Sequence, residues 1–525
     1  MSTVGPRSAT DHYWVRLPGL ALATIAGVLV AWLARWGPDW PAQEFRAWIA
    51  DHDGLSLWTM RWYSGSALPG YSVLYPPLAA VLGAGVVGVL SCVAITWCAS
   101  GVLPDVGRRR AVLIGVGVAI SVTQNLLIGQ VPFLLGAAFA LAAVRSVLSE
   151  RSPWLTTTLA ALCSLSSPLA GAFLLLIAPA IAVHRGTRAV LPLGAALTGS
   201  AVALVVGGAS GPFPCPWQTF VGTAAFCLAI LMIAPREQRA MRVFAAWYLP
   251  IAVAAFVVPN PIGGNVARLA KLVAIPLAMY YLDGRNVWRR VRTSAVTLLA
   301  IIWPSAAFAS SLVHGADDPS RVPSFYAGID RFLAARPQLT SGRLEIPFTR
   351  EHWESYFVAR HFSIARGWER QSDLLYNSVL YHRLTPDRYR AWLDDNAVSA
   401  VALPRAPLDE GGIAEAELLR HPPKYLVPVW HNAHWRVWRV AHPTPLVSGP
   451  ARLVDQDPAA LTVRFSAPGT AVVRVRASNL WISEVPGVCV GRTSRDWLRV
   501  TSPGAGDVPL KASLTAQLLT GAGCP

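Results

Sequence analysis

Apolar runs of about 20 residues recur through the first 312 positions of this 525-residue chain. A helix needs roughly that length to cross about 30 Å of hydrocarbon. A chain that repeats the run so often does not close around one water-soluble core. The spacing predicts a polytopic α-helical membrane protein. Spans are expected near 17–36, 77–98, 111–128, 131–148, 154–166, 168–183, 188–208, 218–234, 240–258, 266–282 and 294–312, about 11 transmembrane helices in all. Only 14% of residues are charged, against roughly 25% in soluble globular chains. Ser166, Ser167 and Pro168 interrupt the run around ALCSLSSPLAGAFLLL. That stretch reads as two short spans or as one re-entrant element. The first run is long and no small-x-small site precedes a mature start, so it reads as a span rather than a signal peptide.

The formal charge of +16 raises the question of nucleic acid, and its distribution excludes it. Arginines sit in short loops between the spans: Arg108, Arg109 and Arg110; Arg145 and Arg151; Arg185 and Arg188; Arg236, Arg239 and Arg242; Arg285, Arg289, Arg290 and Arg292. Arg7 and Arg16 precede the first span. This is the positive-inside pattern. With an odd number of spans it places the N-terminus in the cytoplasm and the C-terminal region outside, in a bacterial plasma membrane. Lysine is confined to Lys271, Lys424 and Lys511, while Ala, Gly, Val and Arg abound, which suggests a GC-rich genome.

After the transmembrane module (1–312, with 37–75 its first external loop), two extracytoplasmic regions are expected. Residues 313–442 read as α/β: PDRYRAWLDDN as a helix with Tyr389, Trp392 and Leu393 on one face, then AVSAVALP, YLVPVW and WRVWRVA as strands. Residues 443–525 read as a β-sandwich-like domain, with LTVRFSAPGTAVVRVRAS as two strands around Pro468 and Gly469 and a helix only in the last dozen residues. Cys92, Cys98, Cys163 and Cys227 read as small buried residues. Cys489 and Cys524 suggest a disulfide outside the cytosol. His431 and His434, three apart in a strand-like segment, face opposite ways and make no metal site. The eight tryptophans after 350 would suit sugar rings, but such residues are more often core.

The chemistry concentrates in the first external loop. RWGPDWPAQEFRAWIADHDG carries Asp39, Glu44, Asp51 and Asp53 close to a span end. An ionisable group at that depth is costly and marks a functional or a paired site. Such a carboxylate can act as general base on an acceptor hydroxyl, or hold a divalent cation that neutralises a phosphate. Which cofactor, if any, is involved stays open. Trp40, Trp48, Trp58, Trp62, Tyr63 and Tyr71 suit a headgroup-level aromatic belt, and AQEFRAWIADH reads as a helix along the membrane surface. Elsewhere, PNPIGGNVARLAKL places Arg268 and Lys271 on one face at a helix start, with Asn265 just before. That arrangement suits a lipid phosphate, or a salt bridge to the loop's acids.

The stretch from Asp39 to Leu78 resembles the first external loop of GT-C membrane glycosyltransferases, and more narrowly an actinobacterial subgroup. Asp39, Pro41, Ala42 and Gln43 match one element. Trp62, Tyr63, Pro69, Gly70, Tyr71 and Ser72 match a second. NLLIGQVPFLLG, with Asn125 and Gln130, is similar to a segment of polyprenyl-phosphate-mannose-dependent transferases. The resemblance implies a GT-C-like fold and an inverting transfer from a polyprenyl-phosphate sugar to an envelope glycan or glycolipid. It implies Asp39 as base. Together with the charge reading, the candidate catalytic residues are Asp39 and Glu44, and the candidate substrate-binding residues are Gln43, Arg268, Lys271, Asn265, Trp62, Tyr63, Tyr71 and Gln130. Ser64-Gly65-Ser66 departs from the Gly-Gly-His that relatives often carry after Trp-Tyr. A transporter of lipid-linked precursors would be expected to show internal repeats and charged or broken helices near the midplane, and no repeat is found. A non-catalytic envelope scaffold would tolerate loss of Asp39.

Overall fold

The computed structural model describes residues 9–35, 37–100, 102, 106–207, 211–281, 287–315 and 317–513. The chain divides into two units. One comprises Met1–Gln43, Tyr71–Ala203 and Gly211–Ala316, the other Glu44–Gly70, Leu204–Ser210 and Asp317–Pro525.

The first unit is helical. Its elements are α1 (Ala9–Leu33), the start of α2 (Trp40–His52), α3 (Tyr75–Leu82), α4 (Ala84–Ala99), α5 (Arg108–Ile128), α6 (Val131–Leu148), α7 (Pro153–Ser166) and α8 (Pro168–Arg185). They are followed by α9 (Thr187–Val190), the start of α10 (Thr198–Gly207), α11 (Trp217–Ile233), α12 (Arg239–Val257), α13 (Ala267–Tyr281) and α14 (Val287–Gly315). Among the described residues six helices are long and apolar enough to cross a membrane: Val15–Leu33 of α1, α5, α6, α8, the Thr187–Val206 run and α12. A seventh arises if α3 and α4 count together, although they bend by 111°.

Each of the eleven expected spans overlaps helix in its described residues, but six, or seven with the bent pair, are long and apolar enough to cross a membrane. The span near 77–98 is a bent pair, broken at Gly83 with φ +86°. The interrupted stretch near 154–183 is two helices. Extended backbone at Ser167 separates them, and its side chain accepts from Ala170 N to start α8. α7, α11 and α13 have 14, 17 and 15 residues. Phe133, Phe173, Leu174, Cys163, Cys227 and Tyr248 share one buried cluster, so the reading of Cys163 and Cys227 as small buried residues holds. α5 lies against α1, α4 and α13.

The second unit is strand-rich. A mixed sheet carries β3 (Arg343–Glu345), β4 (Val398–Pro404), β6 (Trp435–Val440) and β5 (Leu426–His431) in that spatial order, after a two-stranded β1 (Trp58–Thr59) and β2 (Ser66–Ala67). β4 is buried along its whole length, as the apolar run AVSAVALP requires. The predicted helix is Pro386–Asp395, with Tyr389, Trp392 and Leu393 buried.

Beyond 446 two four-stranded antiparallel sheets follow. One orders β12 (Cys489–Arg492), β13 (Trp497–Ser502), β10 (Gly469–Arg476) and β7 (Val447–Ser448). The other orders β11 (Trp481–Ile482), β14 (Gly506–Ala512), β9 (Ala460–Phe465) and β8 (Ala451–Asp457). The two strands around Pro468 and Gly469 are present but join different sheets. Leu461, Val463 and Phe465, like Ala471, Val473 and Val475, alternate inward, the pattern of a sheet with one buried face. Cys489 is disulfide-bonded. Cys524 and the expected C-terminal helix lie outside the described residues.

A buried ionic network organises this unit. Arg366, 1% exposed, grips Asp373 through two bonds of 2.9 and 2.6 Å. Its third nitrogen donates to Gly411 O and lies 3.8 and 3.9 Å from Glu345 and Glu415. Arg370 grips Asp409 at 2.9 and 2.8 Å. Burial, reinforced by Glu415 beside it, pushes Glu345 well above the carboxylate range. Burial also pushes Glu354 up to about 8, partly opposed by the hydroxyl and amide of Thr349. It pushes His352, stacked on Trp368, down to about 3.

These shifts have a pH consequence. Glu354 is raised on folding, so its contribution is complete below about 4.5 and is lost as pH climbs through 8. His352 is depressed, so its contribution is complete above about 6.5 and is lost toward pH 3. Between 6.5 and 8 the raised Glu354 carboxyl lowers stability as pH climbs. Glu354→Gln is expected to lessen the loss of stability across that window by about 2 kcal/mol. Thermal unfolding of both proteins at pH 6.5 and 8 measures it, and identical slopes would rule the assignment out.

Candidate active site around Asp39

Asp39 immediately precedes α2. Its carbonyl accepts the first helical bond, from Gln43 N at 3.3 Å, so its carboxylate stands at a helix N-terminus. A negative charge there is favoured by roughly 0.3–1 kcal/mol. The Asp39 amide donates to Ile128 O at 3.1 Å, and the Trp40 indole donates to Leu127 O at 3.1 Å. The last turn of α5 therefore holds the first turn of α2.

Gly129 makes that approach possible. It ends α5 with φ +93°, and a Cβ there would sit 2.5 Å from Trp40 N. Gly129→Ala is expected to destabilise the helical unit by at least about 2 kcal/mol, through left-handed strain and the clash together. A fluorescence melt in detergent would show the drop, and an unchanged midpoint would mean that the α5–α2 contact is loose.

Arg268, the second residue of α13, reaches this carboxylate, with Nη2 3.5 Å from Oδ2 and side chains 19% and 23% exposed. The contact is single and longer than the roughly 2.7–2.9 Å of a charge-assisted hydrogen bond. The Arg268 guanidinium also lies 5.9 Å from the Phe133 ring centroid. Lys271, one turn on, sits over Trp303 at 5.6 Å. The two cations expected on one face thus have different partners. Asn265 lies in the 3₁₀ turn Gly263–Val266 that leads into α13, its amide bonded to Ile262 O.

Gln43 is one turn beyond Asp39, on the same helical face. It is 1% exposed, its Nε2 donates to Tyr71 Oη at 3.4 Å, and its Oε1 is buried without a partner. Its carbonyl accepts from Tyr75 Oη at 3.3 Å. Gln130, two residues past Ile128 and directly before α6, has a second buried, unpartnered Oε1. Each such oxygen costs about 1–3 kcal/mol unless a donor arrives.

Other sequence-selected residues lie elsewhere. Glu44, Trp62 and Tyr63 belong to the second unit. Glu44 is about 140° around the helix from the Asp39 direction. Trp62 and Tyr63, expected as substrate contacts, are 3% and 1% exposed. The Trp62 indole donates to Ser355 O at 2.9 Å and stacks on Phe45 at 4.1 Å. The Tyr63 hydroxyl donates to Gly367 O at 2.6 Å and accepts from Glu369 N at 2.8 Å. Both are core residues.

Two further expectations are corrected. Trp40 and Trp58 are also buried, so most of these aromatics form no headgroup belt. α2 is no surface helix: Phe45, Arg46, Ala47 and Ile49 are buried, and Arg46 is neutralised by Glu369. Tyr63, Ser64 and Gly65 have φ +55°, +64° and +120°, so the Ser64-Gly65-Ser66 departure sits in a tight left-handed turn.

Among the described residues no group of three or more His, Cys, Asp or Glu could hold a metal ion. Of the acids of 39–53, Asp39 lies 3.5 Å from Arg268, Asp51 is exposed beside His52, and Asp53 lies near Arg61. His431 and His434 are exposed. Sequence reasoning missed Phe133, Tyr75 and Trp303 as neighbours of the site, since no local pattern links residues 32 apart such as Lys271 and Trp303. No protein-family model matches the chain, and no curated protein matches it.

Proposed function

We propose that this chain is an integral membrane glycosyltransferase of GT-C type. On this reading it moves a sugar from a polyprenyl-phosphate donor to an envelope glycan or glycolipid, at the outer face of a bacterial plasma membrane. The observation that carries it is the juxtaposition at Asp39: a carboxylate at a helix start, a cation 3.5 Å from it, and unpartnered amide oxygens at Gln43 and Gln130. The transporter and scaffold alternatives give no reason for that combination.

The chemistry follows. A hydroxyl of the acceptor donates its proton to the Asp39 carboxylate as its oxygen bonds to the anomeric carbon. The bond from that carbon to the phosphate oxygen breaks, and polyprenyl phosphate departs with both electrons. Attack opposite the leaving group inverts the anomeric centre. Arg268 and Lys271 offset the charge growing on the phosphate. Gln43 and Gln130 accept from other sugar hydroxyls. Eleven crossings, with the arginine-bearing helix ends in the cytoplasm, are part of the proposal. Asp39, Ile128 and Gln130 then share the opposite face from Arg108, Arg145, Arg185 and Arg239, which supports chemistry outside.

Linkage analysis of envelope glycans in a deletion strain, complemented by the wild-type chain, tests the reading. Loss of one glycosidic linkage, restored on complementation, would identify the product. An unaltered glycan in the deletion strain would end the transferase reading.

A further inference from the structure

Around Arg343 the second unit buries more arginine charge than its acids can balance. Arg343, in β3, is 2% exposed. Among the described residues no carboxylate pairs with it. Burial, with Arg476 and Arg474 close by, pushes its guanidinium down to about 9, so it stays charged at neutral pH. Its Nη1 donates to Asn396 O at 2.9 Å and its Nη2 to Arg474 O, while its Nε is buried without a partner. Arg476, in β10, is 6% exposed and lies 4.1 Å from the Tyr376 ring and 4.0 Å from the Trp497 ring. It donates to Tyr63 O at 3.2 Å and to Asn396 Oδ1 at 3.4 Å. Arg474 is half-buried. Its Nη1 donates to Pro445 O and Ser448 Oγ at 3.1 and 2.6 Å, and its Nε also lacks a partner.

The acids close enough to act on Arg474 and Arg476 are Asp394, Asp395 and Asp496. Each already faces another arginine. Asp394 holds Arg390 at 2.7 Å, Asp395 lies 3.4 Å from Arg495, and Asp496 lies 3.2 Å from Arg492. Asn396 caps the carbonyl end of the Pro386–Asp395 helix, and the helix dipole there offsets part of one charge. Backbone oxygens and ring faces hold the three guanidinium groups in place but bring no full negative charge. Buried charges are normally paired. We infer that this cluster is a phosphate-binding site, with Arg343 its buried member and Arg474 the one that solvent reaches. A phosphate suits it better than a carboxylate, since its charge can exceed one and its oxygens diverge enough to meet guanidinium groups from two strands. The same chemistry serves a free phosphate ion or a phosphodiester carried by an envelope polymer. The site lies within the second unit and does not depend on the transferase reading.

Hydrogen exchange of the purified full-length protein in detergent, followed by mass spectrometry, reads the site locally. Inorganic phosphate and dimethyl phosphate are the probes, with chloride at matched ionic strength as control. At roughly ten times its dissociation constant, inorganic phosphate is expected to slow exchange about tenfold in peptides covering 343–346 and 472–478. Arg343→Gln removes the buried charge, keeps a donor, and is expected to lose that response. Should Arg343→Gln fail to fold, Arg474→Gln at the half-buried position decides, its response expected to fall by about threefold or more. A response that includes dimethyl phosphate fits a phosphodiester, and one to inorganic phosphate alone fits the free ion. Either supports the site. No local slowing by either probe, an equal slowing by chloride, or an undiminished response in whichever variant folds overturns it.

Discussion

Asp39→Asn is expected to lose transfer by about 10²–10⁴-fold, the range a positioned general base supplies. The start of α2 should keep its backbone bonds through the change. Asn is as good a helix N-cap as Asp, and the bonds from Gln43 N and to Ile128 O use backbone atoms. The pairing with Arg268 is 3.5 Å long and partly exposed, which keeps its worth below the roughly 3–5 kcal/mol of a fully buried pair. Chemistry and stability therefore separate in one variant. Transfer of labelled sugar from a polyprenyl-phosphate donor into envelope membranes gives the rate, and a detergent melt gives the stability. A wild-type rate with an unchanged melt would remove Asp39 from the mechanism. A lost rate with a collapsed melt would make it structural.

Arg366→Met should be the most damaging single change in the second unit. Met keeps much of the volume but leaves Asp373 without its cation, and Glu345 and Glu415 without the charge 3.8 and 3.9 Å away. Removing one partner of a buried pair costs about 3–5 kcal/mol, because the survivor remains buried and charged. Asp373 keeps bonds from Asn377 Nδ2 at 2.9 Å and Tyr381 Oη at 2.6 Å, so the unit need not collapse. Adding Asp373→Asn should return part of the loss. Chemical unfolding of the single and double variants measures this. A loss below about 1 kcal/mol in the single variant would show that water reaches the network.

The helices of the first 312 residues were legible because apolar runs of crossing length leave few alternatives. β4 and the 386–395 helix were legible from their periodicity. The break at Gly83 was harder, since VLGAGVVGV keeps its hydropathy across the bend. At the site, Asp39 and Arg268 were each visible as charges beside apolar runs, and a salt bridge was one of the two partners expected for Arg268. That the start of α2 docks on Ile128 was not visible, because the contact is made by main-chain atoms brought close by a left-handed glycine. Trp62 and Tyr63 were misread as surface aromatics because no short-range pattern links them to Ser355 or Gly367, some 300 residues away. The ionic network stayed hidden for the same reason. Arg366, Asp373, Glu345 and Glu415 look like ordinary surface charges until tertiary structure buries them.

The second unit is discontinuous in sequence. Phe45, Trp62 and Tyr63 pack within it, and Arg46 pairs with Glu369. A fragment beginning at Asp317 would lack those side chains and leave gaps where they sit, so cleavage at that boundary would not release an intact body. The same holds over evolutionary time. A drift in residues 355–369 alters the seat of a stretch encoded some 300 codons earlier. The two stretches must be inherited as one, and substitutions in either should be found answered in the other.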